Sequence, residues 1–138
     1  MAVTDTYRRQ HADFVELVGR IQPMLDPQTL PTQSRQVREM LSTLFGKLSV
    51  HLAMEDSSLY PRCQKHSNDK VREIATRFAN EMSGHKSAVD AFGRKWTENE
   101  IRNNAALFST ETKKLFSVLN DRINRENREF YTLIDAAG

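Results

Sequence analysis

The sequence is short of everything that staples or interrupts a chain. Among 138 residues there is one cysteine, Cys63, so neither a disulfide framework nor a thiolate zinc cluster can form within the chain. A lone thiol fits a reducing compartment. Cys63 sits beside a proline with no base near it in sequence, which argues against a nucleophilic role. There are only five glycines and four prolines and no low-complexity tract, which excludes a disordered chain. No Gly-rich phosphate loop, Cys-x-x-Cys pair or Ser/His/Asp order is present. No apolar run approaches the roughly 18 residues that a membrane span needs. The opening residues lack the apolar core and cleavage site of a signal peptide, so a cytoplasmic protein with no membrane partner is expected. Charge of one sign is missing too. The 20 basic and 18 acidic residues are interspersed, and Arg8-Arg9 is too short a run to make a phosphate-binding surface. Nucleic acid is therefore not expected as a partner. Alternating β-branched runs and Asn-Gly hairpin signals are also absent.

What remains is apolar residues at helical spacing. Tyr7, His11, Phe14, Val15, Val18 and Ile21 make one stripe over about 4–22. Pro23, Pro27 and Pro31 recur at intervals a helix cannot run through, which predicts an irregular connection over 23–31. A second helix is predicted from about 32 to 60, ended by Pro61, with a polar loop over 61–68. Ser67, Asn68 and Asp69 then suit the start of a third helix over about 69–96, with Gly84 and Gly93 inside it. Thr97-Glu98-Asn99-Glu100 has capping-box spacing, which predicts a restart and a short extra helix over about 98–108. The last helix, about 110–135, carries Leu115, Leu119, Arg122, Ile123, Glu126, Phe130 and Leu133 on one face. These segments predict an all-α fold: one antiparallel up-down-up-down four-helix bundle over 1–138.

The stripes are not purely apolar. His51 and Glu55 stand four residues apart, so they share the inner face of the second helix, flanked by Leu41, Leu44, Phe45, Leu48, Leu52 and Leu59. The first helix adds His11 with Tyr7 one turn before it. The third adds Glu81 and His85, and the fourth Arg122 and Glu126. A single histidine on such a face is usually a satisfied core residue. Four helices burying ionisable groups together need mutual pairing or a metal, because an unpaired buried charge is costly. Imidazole with carboxylate suits iron, manganese or zinc, and bundle cores are where such sites are built.

His51-x-x-x-Glu55-Asp56-x-x-Leu59-Tyr60-Pro61 resembles the second-helix signature of the hemerythrin-like (HHE cation-binding) family. Arg9-Gln10-His11 is similar to the family's first-helix histidine context. Arg122-Ile123-x-x-Glu126-Asn127-x-x-Phe130-Tyr131 resembles its fourth-helix His-Ile-x-x-Glu pattern. The resemblance spans essentially the whole chain. It implies a bundle holding two non-heme irons in its core, with a single metal as the other option for this chain, and acting in oxygen, nitric oxide or redox sensing or in metal handling, with a diatomic gas as ligand. A protein partner or a second copy of the chain is the other candidate partner, and enzymatic activity is not implied. Position by position, it implies metal ligation by His11, His51, Glu55 and Glu126, with His85 as the third-helix candidate. Arg122 departs from the pattern. Its guanidinium has no lone pair to give a metal, and it stands as a fixed cation where the family has a histidine. A metal-free regulatory or scaffold bundle, with Arg122, Glu126, Glu55 and His51 closed into a polar network, is the alternative.

Overall fold

A computed structural model describes residues 2–138, and every regular element among them is helical. Helix α1 (Asp5–Ile21) closes with a 3-10 turn (Gln22–Met24). Helix α2 (Leu30–Met54) passes through a π turn (Glu55–Leu59) into α3 (Tyr60–Cys63). Helices α4 (Asp69–Met82) and α5 (His85–Lys95) form the third rod. The short α6 (Glu98–Asn103) leads into α7 (Ala105–Arg125), which passes through a second π turn (Glu126–Phe130) into α8 (Tyr131–Ala137). The four rods make the antiparallel bundle that the stripes predict.

The helix starts follow local chemistry. Asn68 Oδ1 accepts from the backbone N–H groups of Lys70 and Val71 at 2.9 and 3.2 Å and so caps α4. Thr97 Oγ1 accepts from Glu100 N at 3.3 Å and caps α6, which is the expected short helix but ends at Asn103 rather than near 108. At the other end of α5, Arg38 Nη1 donates to the carbonyls of Gly93 and Trp96, both at 2.8 Å, satisfying acceptors that the helix end leaves free.

Three expectations are corrected. Pro61 does not end the second rod. The π turn before it makes Tyr60–Cys63 a fresh α segment with Pro61 in its first turn, where a missing N–H breaks no bond. The third rod is not continuous. It breaks at Ser83–Gly84, where Gly84 takes φ +89°, a left-handed conformation that a Cβ disfavours. Val15 lies outside the core, 52% exposed, because α1 turns its Phe14 edge inward instead. Gly93 does face a neighbour: a Cβ there would meet Phe45 Cδ2 at 3.5 Å.

The apolar core is in two parts. One cluster, including Phe14, Leu41, Leu44, Trp96, Phe108 and Phe116, fills the end of the bundle toward the α1–α2 connection. The other, including Leu59, Val71, Phe78, Phe130 and Ile134, fills the end where α3, α4 and α8 meet. Each fully buried side chain of this kind is worth about 1.5–3 kcal/mol. Between the clusters lies a buried polar layer of His11, His51, Glu55, Arg122 and Glu126. At the α8 end, the Thr4 hydroxyl donates to Asp135 Oδ2 at 2.6 Å and Arg8 reaches the same oxygen at 3.5 Å, which ties the first turn of the chain to its last helix. No helix among the described residues is long and apolar enough to cross a membrane.

The glycines give a paired expectation. Gly84→Ala, at positive φ, lowers stability by about 1 kcal/mol or more, whereas Gly19→Ala, inside α1 with nothing within 4 Å of a new Cβ, raises it by up to about 1 kcal/mol. Urea midpoints of the two variants check the opposite signs.

Candidate metal centre

The polar layer is assembled by helix register. His51 and Glu55 lie one turn apart at the end of α2, and Arg122 and Glu126 repeat that spacing at the end of α7. Each glutamate opens a π turn, in which the N–H of the fifth residue on, Tyr60 or Tyr131, bonds to the glutamate carbonyl. In an unbroken α-helix that tyrosine would lie about 140° around from the glutamate. The wider turn brings it back toward the layer, a use of π turns common at functional sites. The pairs then cross. Tyr131 Oη donates to Glu55 Oε2 at 2.5 Å, and Tyr60 Oη donates to Glu126 Oε2.

The two histidines are oriented by carbonyl oxygens. Gln10 Oε1 lies 2.5 Å from His51 Nδ1, and Asn127 Oδ1 lies 2.8 Å from His11 Nδ1. A carbonyl only accepts, so both Nδ1 atoms carry the proton and both Nε2 lone pairs point inward. Those lone pairs face each other at 3.1 Å. Glu55 Oε1 is 2.9 Å from His51 Nε2, and Glu126 Oε1 is 3.1 Å from His11 Nε2. One ligand atom from each of the four residues lies within 4.8 Å of the others, and all four side chains are buried. Four acceptors converge there. A proton on Glu55 could serve His51, but Glu126 Oε1 is buried with no donor. Donors at adjacent vertices around an ion with bonds of about 2.1 Å lie about 3.0–3.4 Å apart, which the observed spacings approach. In its chemistry, two imidazoles and two carboxylates, the donor set suits a divalent first-row cation.

Beside the two glutamates lies Arg122, 2% exposed. Its Nε is 3.3 Å from Glu126 Oε2, and its Nη2 is 3.2 Å from Glu55 Oε1 and 3.4 Å from Asp56 Oδ1. Burial works against its charge, but Glu126 and Glu55 hold the guanidinium ionised. Among the residues that the sequence singles out, the layer joins His11, His51, Glu55 and Glu126. His85 stands apart from them. The break at Gly84 places it half-buried at the start of α5, with Nδ1 3.3 Å from Arg122 Nη1, so the guanidinium lies between it and the cluster. Glu81 faces outward to Arg125 at 2.5 Å.

The electrostatics follow from burial. Desolvation and the neighbouring Glu126 push the Glu55 carboxyl well up, which favours a proton on it. Burial opposes ionisation of Glu126 as well, but the Arg122 guanidinium beside it favours the carboxylate. Burial, with His11 beside it, lowers His51 to about 3 and keeps the imidazole neutral and able to ligate. Desolvation and the two glutamates push Tyr60 and Tyr131 far up, so both stay phenols.

The hemerythrin HHE cation-binding domain model matches residues 2–134. The chain belongs to the hemerythrin HHE cation-binding family. Comparison with characterised proteins and with solved structures gives no match. Family membership and the buried His/Glu cluster together suggest a metal-binding bundle. Residue spacing alone assigns no role to Gln10, Asn127, Tyr60 or Tyr131 in this HHE domain. The signal that could have found the tyrosines is the repeated Glu-x-x-x-x-Tyr, once in each of two helices.

The shift at His51 has a stability consequence. Unfolded, the imidazole takes up a proton below about pH 6.5; folded, it does so only near 3. The unfolded state thus binds more protons between those values, so stability falls as pH drops from about 6.5 toward about 3. The raised Glu55 carboxyl acts in the opposite sense over part of this range, so the difference between variants is the readout: as pH goes from 7.5 to 5, the urea midpoint of metal-free wild type should fall relative to that of His51→Gln.

Proposed function

We propose that the bundle binds one iron ion through His11, His51, Glu55 and Glu126 and uses it to sense oxygen, nitric oxide or redox state, with metal handling as the related role. The observation that carries this reading is the pair of imidazole Nε2 lone pairs turned inward by Gln10 and Asn127, with Glu126 Oε1 beside them lacking a donor. Such carbonyl partners fix tautomer and ring angle, a regular feature of metal-ligating histidines. A bound iron with a free coordination position supplies the binding chemistry for a diatomic ligand.

The chain's own residues supply the rest. Tyr131 and Tyr60 hold Glu55 and Glu126 by their outer oxygens, leaving Oε1 of each toward the histidines. The proton favoured on Glu55 must leave when a cation enters, so uptake is favoured as pH rises. Arg122 contributes one fixed positive charge beside the carboxylates, in the position where the family pattern has a histidine. We read it as the replacement for a second ion, which makes the centre mononuclear. His85, held behind Arg122, then orients the guanidinium and is not a ligand.

Metal analysis of protein from iron-supplemented cells, with a visible spectrum in air, tests this reading. About one iron per chain is expected, falling to less than about a tenth in His51→Ala. A wild-type content near zero, unchanged by His51→Ala, would sink it. It would favour a metal-free scaffold, whose supporting observation is that Arg122 already neutralises part of the buried acid.

Arg122→His probes the missing half. Trading the fixed cation for a fifth candidate ligand should raise the iron content above one per chain, read by the same metal analysis. Content staying at one would show that His85 and Asp56 cannot complete a second position.

A further inference from the structure

One sizeable void does not lie at the histidines. It is a groove of about 430 Å³ between α1 and α7, walled by apolar side chains including Phe14, Val18, Phe116 and Ile123, with Gln22, Lys113 and Asn120 among its polar lining. A second cavity, of about 10 Å³, is lined by all four candidate ligands and Arg122. That is room for about one water-sized particle. The two voids share Phe14, Leu48, Leu119 and Ile123 as wall residues. Phe14 stands at the junction, its ring edge-on to His51 at 5.1 Å.

From this contiguity we infer that the groove is the entry route and waiting site for a small uncharged ligand, a diatomic such as dioxygen or nitric oxide, on its way to the centre. The inference rests on the metal reading above. It adds the path and the gate. The four shared residues form an apolar throat. An ion entering it would give up its hydration with no polar partner in exchange, a cost of several kcal/mol. A neutral diatomic carries no such cost and gains dispersion contacts. On this route Phe14 and Leu119, which line both voids, are the gate, and side-chain motion is fast compared with backbone opening. The groove thus selects by charge before the centre selects by coordination.

Two variants plug the groove without touching a ligand. Val18→Trp and Gly19→Trp each place an indole in it, and Gly19 has open space around a new Cβ. Val118→Trp, on the exposed face of α7, is the control. In the first arm, xenon is titrated into metal-free protein and methyl shifts are followed by NMR, since apolar cavities take up xenon. Saturable shifts at Val18, Leu48, Leu119 and Ile123 are expected, lost in the plugged variants and kept in the control. In the second arm, nitric oxide is mixed with iron(II)-loaded protein and the rate of the spectral change is read. Both plugged variants should be slowed about tenfold or more, with the same final spectrum and the control unchanged. Unchanged rates in both plugged variants, or no saturable xenon shift, overturn the route. If wild-type protein takes up iron and gives no change with nitric oxide, or takes up none, the functional reading fails instead, and the xenon arm alone decides the groove.

Discussion

The Arg122 guanidinium lies between two buried glutamates in a layer that separates two apolar clusters. A cation taken out of water needs its counter-charges in place, and two carboxylates packed together need a cation. Removing one partner of such a buried network costs about 3–5 kcal/mol, more than any single apolar contact nearby contributes. The end of α2 and the end of α7 must therefore meet at one level, whatever the rest of the bundle does. The crossed tyrosine contacts reinforce that level from the α8 side, and the two carbonyl-anchored histidines reinforce it from α1.

A layer of this kind is a poor way to gain stability and a good way to set register. Apolar clusters above and below could slide by one turn and still bury similar area. A slide would strand Arg122, Glu55 and Glu126 among leucines, at the cost of unpaired buried charge. The π turns belong to the same logic. Each costs good α-helical hydrogen bonding for five residues and in return points a tyrosine at the opposite helix's glutamate. The arrangement leaves its inward-facing acceptors short of donors. That shortage, with family membership, is what suggests a metal-binding bundle.

Much of this was legible in the residues. Three- and four-residue apolar spacing yields the four rods, and Thr97 with Glu100 marks the restart before the last one. The His51–Glu55 and Arg122–Glu126 spacings by themselves put those side chains on inner faces. What could not be read was the effect of a local register change. Pro61 looks like a stop because the rule assumes an α-helix up to it, and nothing in Glu55–Leu59 announces a wider turn. The break at Gly84 was hidden for the opposite reason: a glycine within an amphipathic stripe is tolerated more often than it ends a helix. That break decides where His85 stands, so the third rod's contribution was out of reach of spacing alone. Val15 is the smaller case, since stripe width does not say which edge of α1 turns inward.

The hydrogen bond from Thr4 to Asp135 has a consequence of another kind. It brings the start of α1 beside the end of α8, so the described chain nearly closes on itself. A short polar linker could join the two ends, and new ends could be opened in the exposed Asp26–Thr29 turn, far from the polar layer. Circular permutation there would keep every rod whole and would leave the order in which the rods fold as the main thing changed. The first rod would then be made last, after the other three, two of which carry Glu55, Arg122 and Glu126.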